Sequence, residues 1–242
     1  LRRRLSSISQ VHQAAGWPSP TATAEVRLVW QGIVRTHGSR PLRRAEPAVT
    51  ETLRALVAGL DSSRKGQRDR ALLLLGFAGF LRRSELVALD VGDVAEVPEG
   101  LEVLVRRSQT DQHGEGAVLP IPWGRHAATC PVRAWRAWLA AAAIGDGPAF
   151  RAVDRHGNVG GGRLSDRTVA RVVKQAAQRA RLDPAQFSGH SLRSGLAVAA
   201  AQVGVAEELI MEQGRWKSPT AVRTYVRRGE LWREVVAGQV GL

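Results

Sequence analysis

Only one stretch of this chain alternates apolar and polar residues convincingly with a period of two. Leu101 to Val105 carries that alternation and Ala117 to Ile121 repeats it, so the two read as an antiparallel pair. The polar run Asp111-Gln112-His113-Gly114-Glu115-Gly116 makes the turn between them. A single small sheet in a chain of 242 residues leaves helices to supply most of the core. The expected fold class is mainly α with a small antiparallel sheet near the first third of the main unit.

The helical segments follow from apolar spacing and from breakers. Leu1 to Ala15 reads as a helix that Gly16-Trp17-Pro18-Ser19-Pro20 stops, and Glu25 to His37 as a second that Gly38-Ser39-Arg40-Pro41 stops. Two short helices bury little by themselves, and the basic stretch Arg40 to Arg44 reads as a linker. Thr50 is placed to cap a helix running to Leu60, and Gln67 to Phe77 is an apolar helix after the turn Asp61-Ser62-Ser63. Ser84 to Leu89 starts a short helix after a bend. Beyond the strand pair come Pro131 to Ala143, Ser165 to Ala180 with Ser165 as cap, Ser191 to Val203, Ala206 to Gln213 and Pro219 to Val226. Glu230 to Ala237 is a short amphipathic tail.

Charge narrows the partner. Thirty-five basic residues against 22 acidic give a formal net charge of +13, an excess that draws polyanions. Only Lys65, Lys174 and Lys217 are lysines, and an arginine-rich surface suits phosphate forks. One cysteine, Cys130, excludes an internal disulfide, and the six scattered histidines form no metal-ligand spacing. No metal and no cofactor is expected, and neither a GxGxxG nor a P-loop lysine motif is present. No run approaches about 18 apolar residues, which argues against a membrane span, and no signal-peptide pattern opens the chain. The only methionine is Met211, so a fragment, or a start with disordered first residues, is expected.

Three constellations bear chemistry. Tyr225, the only tyrosine, sits in the basic helical run Ala221-Val222-Arg223-Thr224-Tyr225-Val226-Arg227-Arg228. His190 and Arg193, three apart near a helix start in Gly189-His190-Ser191-Leu192-Arg193, fall on one side. Arg82-Arg83-Ser84-Glu85-Leu86 follows an apolar helix directly, and Glu85 is placed to orient an arginine. Each alone has an ordinary structural explanation: a core tyrosine, a surface His and Arg, a helix terminus.

Taken in order, with the strand pair between the first two boxes, these motifs resemble the tyrosine recombinase, or phage integrase, family. Gly79-Phe80-Leu81-Arg82-Arg83-Ser84-Glu85-Leu86 resembles the family's first box and makes Arg82 its first arginine. His190 and Arg193 match His-x-x-Arg. Trp216, in Gly214-Arg215-Trp216-Lys217-Ser218, matches a position that holds His or Trp in the family, and its tryptophan is similar to the Cre-like branch. The nucleophile follows at Tyr225. The resemblance runs from about residue 47 to 236. It implies the end of a helical core-binding domain over 1–40, a basic linker over 41–46 and a catalytic domain over 47–242.

It further implies strand cleavage and rejoining through a covalent 3′-phosphotyrosine, with Arg82, His190, Arg193 and Trp216 around the phosphate. The implied partners are double-stranded DNA carrying a target site and three further copies in a homo-tetramer. The C-terminal segment would dock on a neighbour through Leu231, Trp232, Val235 and Val236, or else pack on its own domain. Arg40, Arg43, Arg44, Arg83, Arg106, Arg107 and Lys217 are the expected DNA-backbone contacts. The expected setting is the cytoplasm, nucleoid-associated, with the chain bacterial, phage- or plasmid-encoded.

One position departs from the pattern. The family carries a lysine in Arg-Ser-Lys-Thr-Asp, whereas this chain reads Arg107-Ser108-Gln109-Thr110-Asp111. That lysine protonates the departing 5′ oxygen, and an amide has no proton to give. Another group does this work, or the chain is impaired, or the glutamine was introduced by design. The readings that compete are a type IB topoisomerase or hairpin-telomere resolvase, a DNA-binding regulator without catalysis, and a metal-free phosphodiesterase using His190 as base.

Overall fold

Helices α1 (Arg2–Ala14) and α2 (Ala24–His37) bury none of their side chains, as expected of two short helices alone. Gly16, at φ 73°, lets the chain turn after α1. Thr23 accepts from the Val26 amide and caps α2. This computed structural model describes residues 1–38, 45–108, 116–233 and 235. Contacts divide the chain into Leu1–Arg44 and Ala45–Leu242. The linker arginines Arg40, Arg43 and Arg44, like Gln109, lie outside the described residues.

The second unit is built around α4. Helix α3 (Thr50–Ala58) begins one residue after Val49, which occupies the cap position that Thr50 was expected to fill. The chain is tied there by backbone instead, with Ala48 N–H donating to Ser191 O at 2.9 Å. Helix α4 (Arg64–Ala78) starts three residues before the expected Gln67 because Ser63 accepts from the Gly66 amide at 3.1 Å. Ala71 through Leu75 are all at most 2% exposed, so the second half of α4 is apolar all round and forms the centre of the domain.

Helix α5 (Arg83–Ala88) leads into strands β1 (Val94–Val97), β2 (Gly100–Val105) and β3 (Ala117–Pro122), an antiparallel sheet in the order β1-β2-β3. Leu101 pairs with Ile121 and Val103 with Leu119, and all four point into the core. This is the expected pair, extended by a strand that period two did not reveal. In β1 only the two terminal valines are even half-buried, so an edge strand left no alternation to read.

Helix α6 (Pro131–Ala142) follows, and then a second antiparallel pair, β4 (Arg151–Val153) with β5 (Val159–Arg163). The sequence reading placed one sheet only, and this hairpin corrects it. Its strand Val-Gly-Gly-Gly-Arg is exposed over four of five residues and glycine-rich, so neither period nor propensity marks it. Helices α7 (Asp166–Arg179), α8 (Ser191–Gln202), α9 (Glu207–Gln213) and α10 (Pro219–Gly229) complete the domain. Ser165 does precede α7, but its hydroxyl bonds Thr168 Oγ1 at 3.0 Å and not a backbone amide.

Most buried apolar residues form one cluster. A separate one gathers Phe80, Ala197, Ala201, Ile210, Val222 and Val226, and this is what seats α10. Gly229 makes the close approach possible, since a Cβ there would meet Val198 O and the Ala201 methyl at 2.6 Å. Beyond α10, Glu230–Trp232 forms a 3-10 turn in which Leu231 is 63% and Trp232 82% exposed. Val235 is half-buried, and Val236 lies outside the described residues. No helix among the described residues is long and apolar enough to cross a membrane.

Candidate active site

Segments far apart in sequence converge where α5, α8 and α10 meet the end of β2. Arg82 is the cap residue of α5. Its amide donates to Glu85 Oε2 at 2.9 Å, half of a capping box, and its guanidinium Nη1 donates to Glu85 Oε1 at 2.6 Å. The same Nη1 reaches Ser108 Oγ at 3.0 Å, which brings the hairpin to the site at the residue just before Gln109.

Arg193 lies in the first turn of α8 and is 1% exposed. Its Nη1 donates to Phe80 O and its Nη2 to Gly214 O. Its guanidinium carbon stands 4.3 Å from the centre of the Trp216 ring, a cation–π contact. Burial, with repulsion from Arg82 and Arg215, brings the Arg193 pKa down to about 9, and Glu85 and Tyr225 act against that shift. Phe80 itself holds φ at 48°, where side chains are rare, and its ring meets Trp216 edge-on at 5.6 Å. A Cβ on Gly214 would overlap the Trp216 ring, so that glycine is what lets the indole lie flat in the site.

His190 precedes α8 with its side chain exposed, and its Nε2 lies 2.8 Å from the Tyr225 hydroxyl. The Tyr225 ring stands 5.9 Å from that of Trp216. Val222, Val226 and Gly229 form the buried face of α10 beside it. The structure thus brings Arg82, Glu85, His190, Arg193, Trp216 and Tyr225 into one neighbourhood.

A model described as the phage integrase family matches residues 49–230. The chain belongs to that family, the tyrosine recombinases. As a tyrosine recombinase it is 39% identical over 236 residues to an integrase/recombinase XerD homolog of Selenomonas ruminantium, covering 96% of this chain and 69% of that protein. It is 25% identical over 250 residues to the recombinase Cre of Escherichia phage P1, covering 94% of this chain and 70% of Cre. Among solved structures it is similar to the XerH site-specific recombinase in a post-cleavage complex with a palindromic difH substrate. There the TM-score is 0.59 at 16% identity, over 78% of this chain and 54% of the XerH chain. A lambda integrase dimer bound to a COC′ core site gives a TM-score of 0.56 at 17% identity, over 86% of this chain and 58% of that one. These likenesses show a shared fold, and the match spans only about half of each of those two solved chains.

Within this recombinase the remaining expected contacts divide. Arg83 pairs with Asp166 at 3.1 Å, and Arg106 pairs with Asp93 at 2.6 Å and Asp90 at 3.5 Å. Each therefore already has a carboxylate partner. Arg107 and Lys217 are exposed. Sequence reasoning passed over Phe80, Ser108 and Arg215. Arg215 donates to Glu85 Oε2 at 2.5 Å, so Glu85, 2% exposed at its side chain, is shared between two guanidiniums. The one signal for it was its place between Gly214 and Trp216.

Proposed function

We propose that this tyrosine recombinase is a site-specific DNA recombinase that cuts and rejoins strands through a covalent 3′-phosphotyrosine at Tyr225. The observation that carries the reading is the placing of the Tyr225 hydroxyl 2.8 Å from His190 Nε2, beside the Arg82–Glu85–Arg193 cluster. A phosphodiester is displaced only when its developing charge is stabilised, and Arg82 and Arg193 supply forks for the nonbridging oxygens. His190 takes the phenol proton or donates to the same oxygens, and Trp216 packs the nucleophile in place. The phenolic oxygen bonds to phosphorus, the bond to the 5′ oxygen breaks, and that oxygen departs as a hydroxyl after gaining a proton. Attack by the 5′ hydroxyl of another strand reverses the step in a new pairing. The bond energy stays in the phosphotyrosine, so no ATP is consumed.

The names of the relatives support DNA as partner: one solved structure holds a difH substrate and another a core site. In this reading residues 1–40 end a core-binding domain, 41–46 link it, and 47–242 form the catalytic domain. Four copies act on two duplexes in the cytoplasm. The exposed Leu231 and Trp232 favour docking of the C-terminal segment on a neighbour. Arg40, Arg43, Arg44, Arg107 and Lys217 contact backbone phosphates, with Arg83 and Arg106 exchanging carboxylates for them.

A second reading, a DNA-binding protein of this fold with impaired catalysis, draws on the amide at Gln109. A nicked suicide duplex separates the two, because loss of the short 5′-hydroxyl fragment traps the adduct. A covalent band that vanishes in Tyr225→Phe supports recombinase chemistry. Tight binding without a band supports the impaired binder.

A further inference from the structure

Arg215 carries two features that cost stability. Its φ is 53°, a region that suits glycine, and its Nε and Nη1 are buried with no hydrogen-bond partner among the described residues. Its neighbour in the chain is Gly214, so the backbone there already has one residue chosen for a tight fit. What the guanidinium does is hold Glu85: its Nη2 binds Oε2 at 2.5 Å, while Oε1 faces Arg82 Nη1 at 2.6 Å.

From this we infer that Arg215 is a positioning residue of the phosphate site, acting through Glu85. The inference rests on the recombinase reading above. Two effects follow from one contact. Arg215 fixes the rotation of the Glu85 carboxylate, and so the direction of the Arg82 fork. It also divides the single negative charge of Glu85 between two guanidiniums. Among the described residues Arg193 also acts on this carboxylate, and a substrate phosphate would bring a further anion to the three guanidiniums. Burial lowers the Arg215 pKa, with Glu85 acting against that shift and Arg82 adding to it.

The test compares the parent, Arg215→Gly and Arg215→Lys on two duplexes. One carries the ordinary scissile phosphodiester. The other carries a methylphosphonate there, which has lost the negative charge. Binding is measured on intact duplexes and cleavage on nicked ones. The parent is expected to prefer the charged duplex. Arg215→Gly relieves the positive-φ strain but takes one partner from the buried Glu85 carboxylate, so it should melt lower than the parent and remain folded at the assay temperature through the Arg82–Glu85 pair. It should lose roughly 10-fold or more of that preference, and a similar factor in cleavage of the phosphodiester but not of the methylphosphonate. Arg215→Lys should restore part of both. Equal losses on the two duplexes, or an unchanged preference for charge, would overturn the role. The binding preference is readable even if the parent forms no adduct, and that separate failure would sink the recombinase reading while leaving Arg215 tested.

Discussion

The Nε2 atom of His190 and the hydroxyl of Tyr225 lie 2.8 Å apart, across 35 positions of sequence and between two different helices. The pair joins a titratable base to the chain's single phenol. Replacing Tyr225 with Phe removes the hydroxyl and keeps the ring that faces Trp216. The variant should fold with a stability change of about 0.5 kcal/mol or less. It should bind duplex DNA like the parent and form no covalent adduct on a suicide substrate. An adduct in this variant would place the nucleophile elsewhere.

Arg82 and Arg193 should fail in different ways. Both substitutions by Ala should reduce cleavage by roughly 100-fold or more, as expected for lost transition-state contacts. Arg82→Ala leaves Glu85 paired with Arg215, and Arg193→Ala should lower the melting temperature further. The latter leaves Phe80 O and Gly214 O without their donor, at about 1–3 kcal/mol for each buried carbonyl. Thermal melts of both variants alongside the cleavage assay check this contrast.

Glu85→Gln should be a severe change. It leaves the guanidiniums of Arg82 and Arg215 without their shared carboxylate in a buried setting, where removing one partner costs about 3–5 kcal/mol. Inorganic sulfate should raise the melting temperature of this variant more than that of the parent, because an anion can take the vacated role. Equal responses to sulfate would show that the cluster does not lack negative charge.

The depressed pKa of Arg193 has a direction in pH. Its folded value, about 9, lies well below its ordinary value, so the unfolded chain holds that proton more tightly. The cost of burying the cation is therefore present in full below pH 9. It is relieved as pH rises above about 9 towards the ordinary arginine range, and the contribution to stability rises with it. Compared with Arg193→Met, the parent should gain relative stability over that alkaline window. Parallel denaturant melts of the two proteins across the window would reveal the slope.

Gln109 gives a prediction that rests on sequence alone, since the residue lies outside the described part of the structure. Positioned general acids contribute about 100-fold to 10,000-fold. If the amide leaves the 5′ oxygen without a proton donor, a bridging sulfur should be expelled much faster than oxygen. Gln109→Lys should then rescue the oxygen substrate. Equal slow cleavage of both, with no rescue, would show that this position is not where the proton is missing.

The sequence was informative where a residue's neighbours along the chain decide its environment. Helix α4 was legible because its apolar run has no polar face, and the β2–β3 pair because its alternation matches a half-buried sheet. The edge strand β1 and the glycine-rich β5 were not, since exposed strands carry no burial pattern. Arg82, His190, Arg193, Trp216 and Tyr225 stood out through their motif spacing. That Arg193 is locked to two carbonyls, or that Arg215 shares Glu85, depends on contacts across 113, 21 and 130 positions, which no local pattern records.

The helix that carries Tyr225 is fastened to the six-residue cluster around Phe80 and not to the main core. Its attachment relies on small groups, with Gly229 pressed against Val198 and Ala201 of α8. The domain therefore has two thresholds of cooperativity. Exchange of the α10 amides is expected through a sub-global opening that leaves α4 and the sheet intact. A ring as large as that of Trp216, wedged between Phe80 and Tyr225, acts as the latch on that opening. Loss of the indole would then register first as faster isotope exchange along 219–229, before any change in the melting of the whole domain.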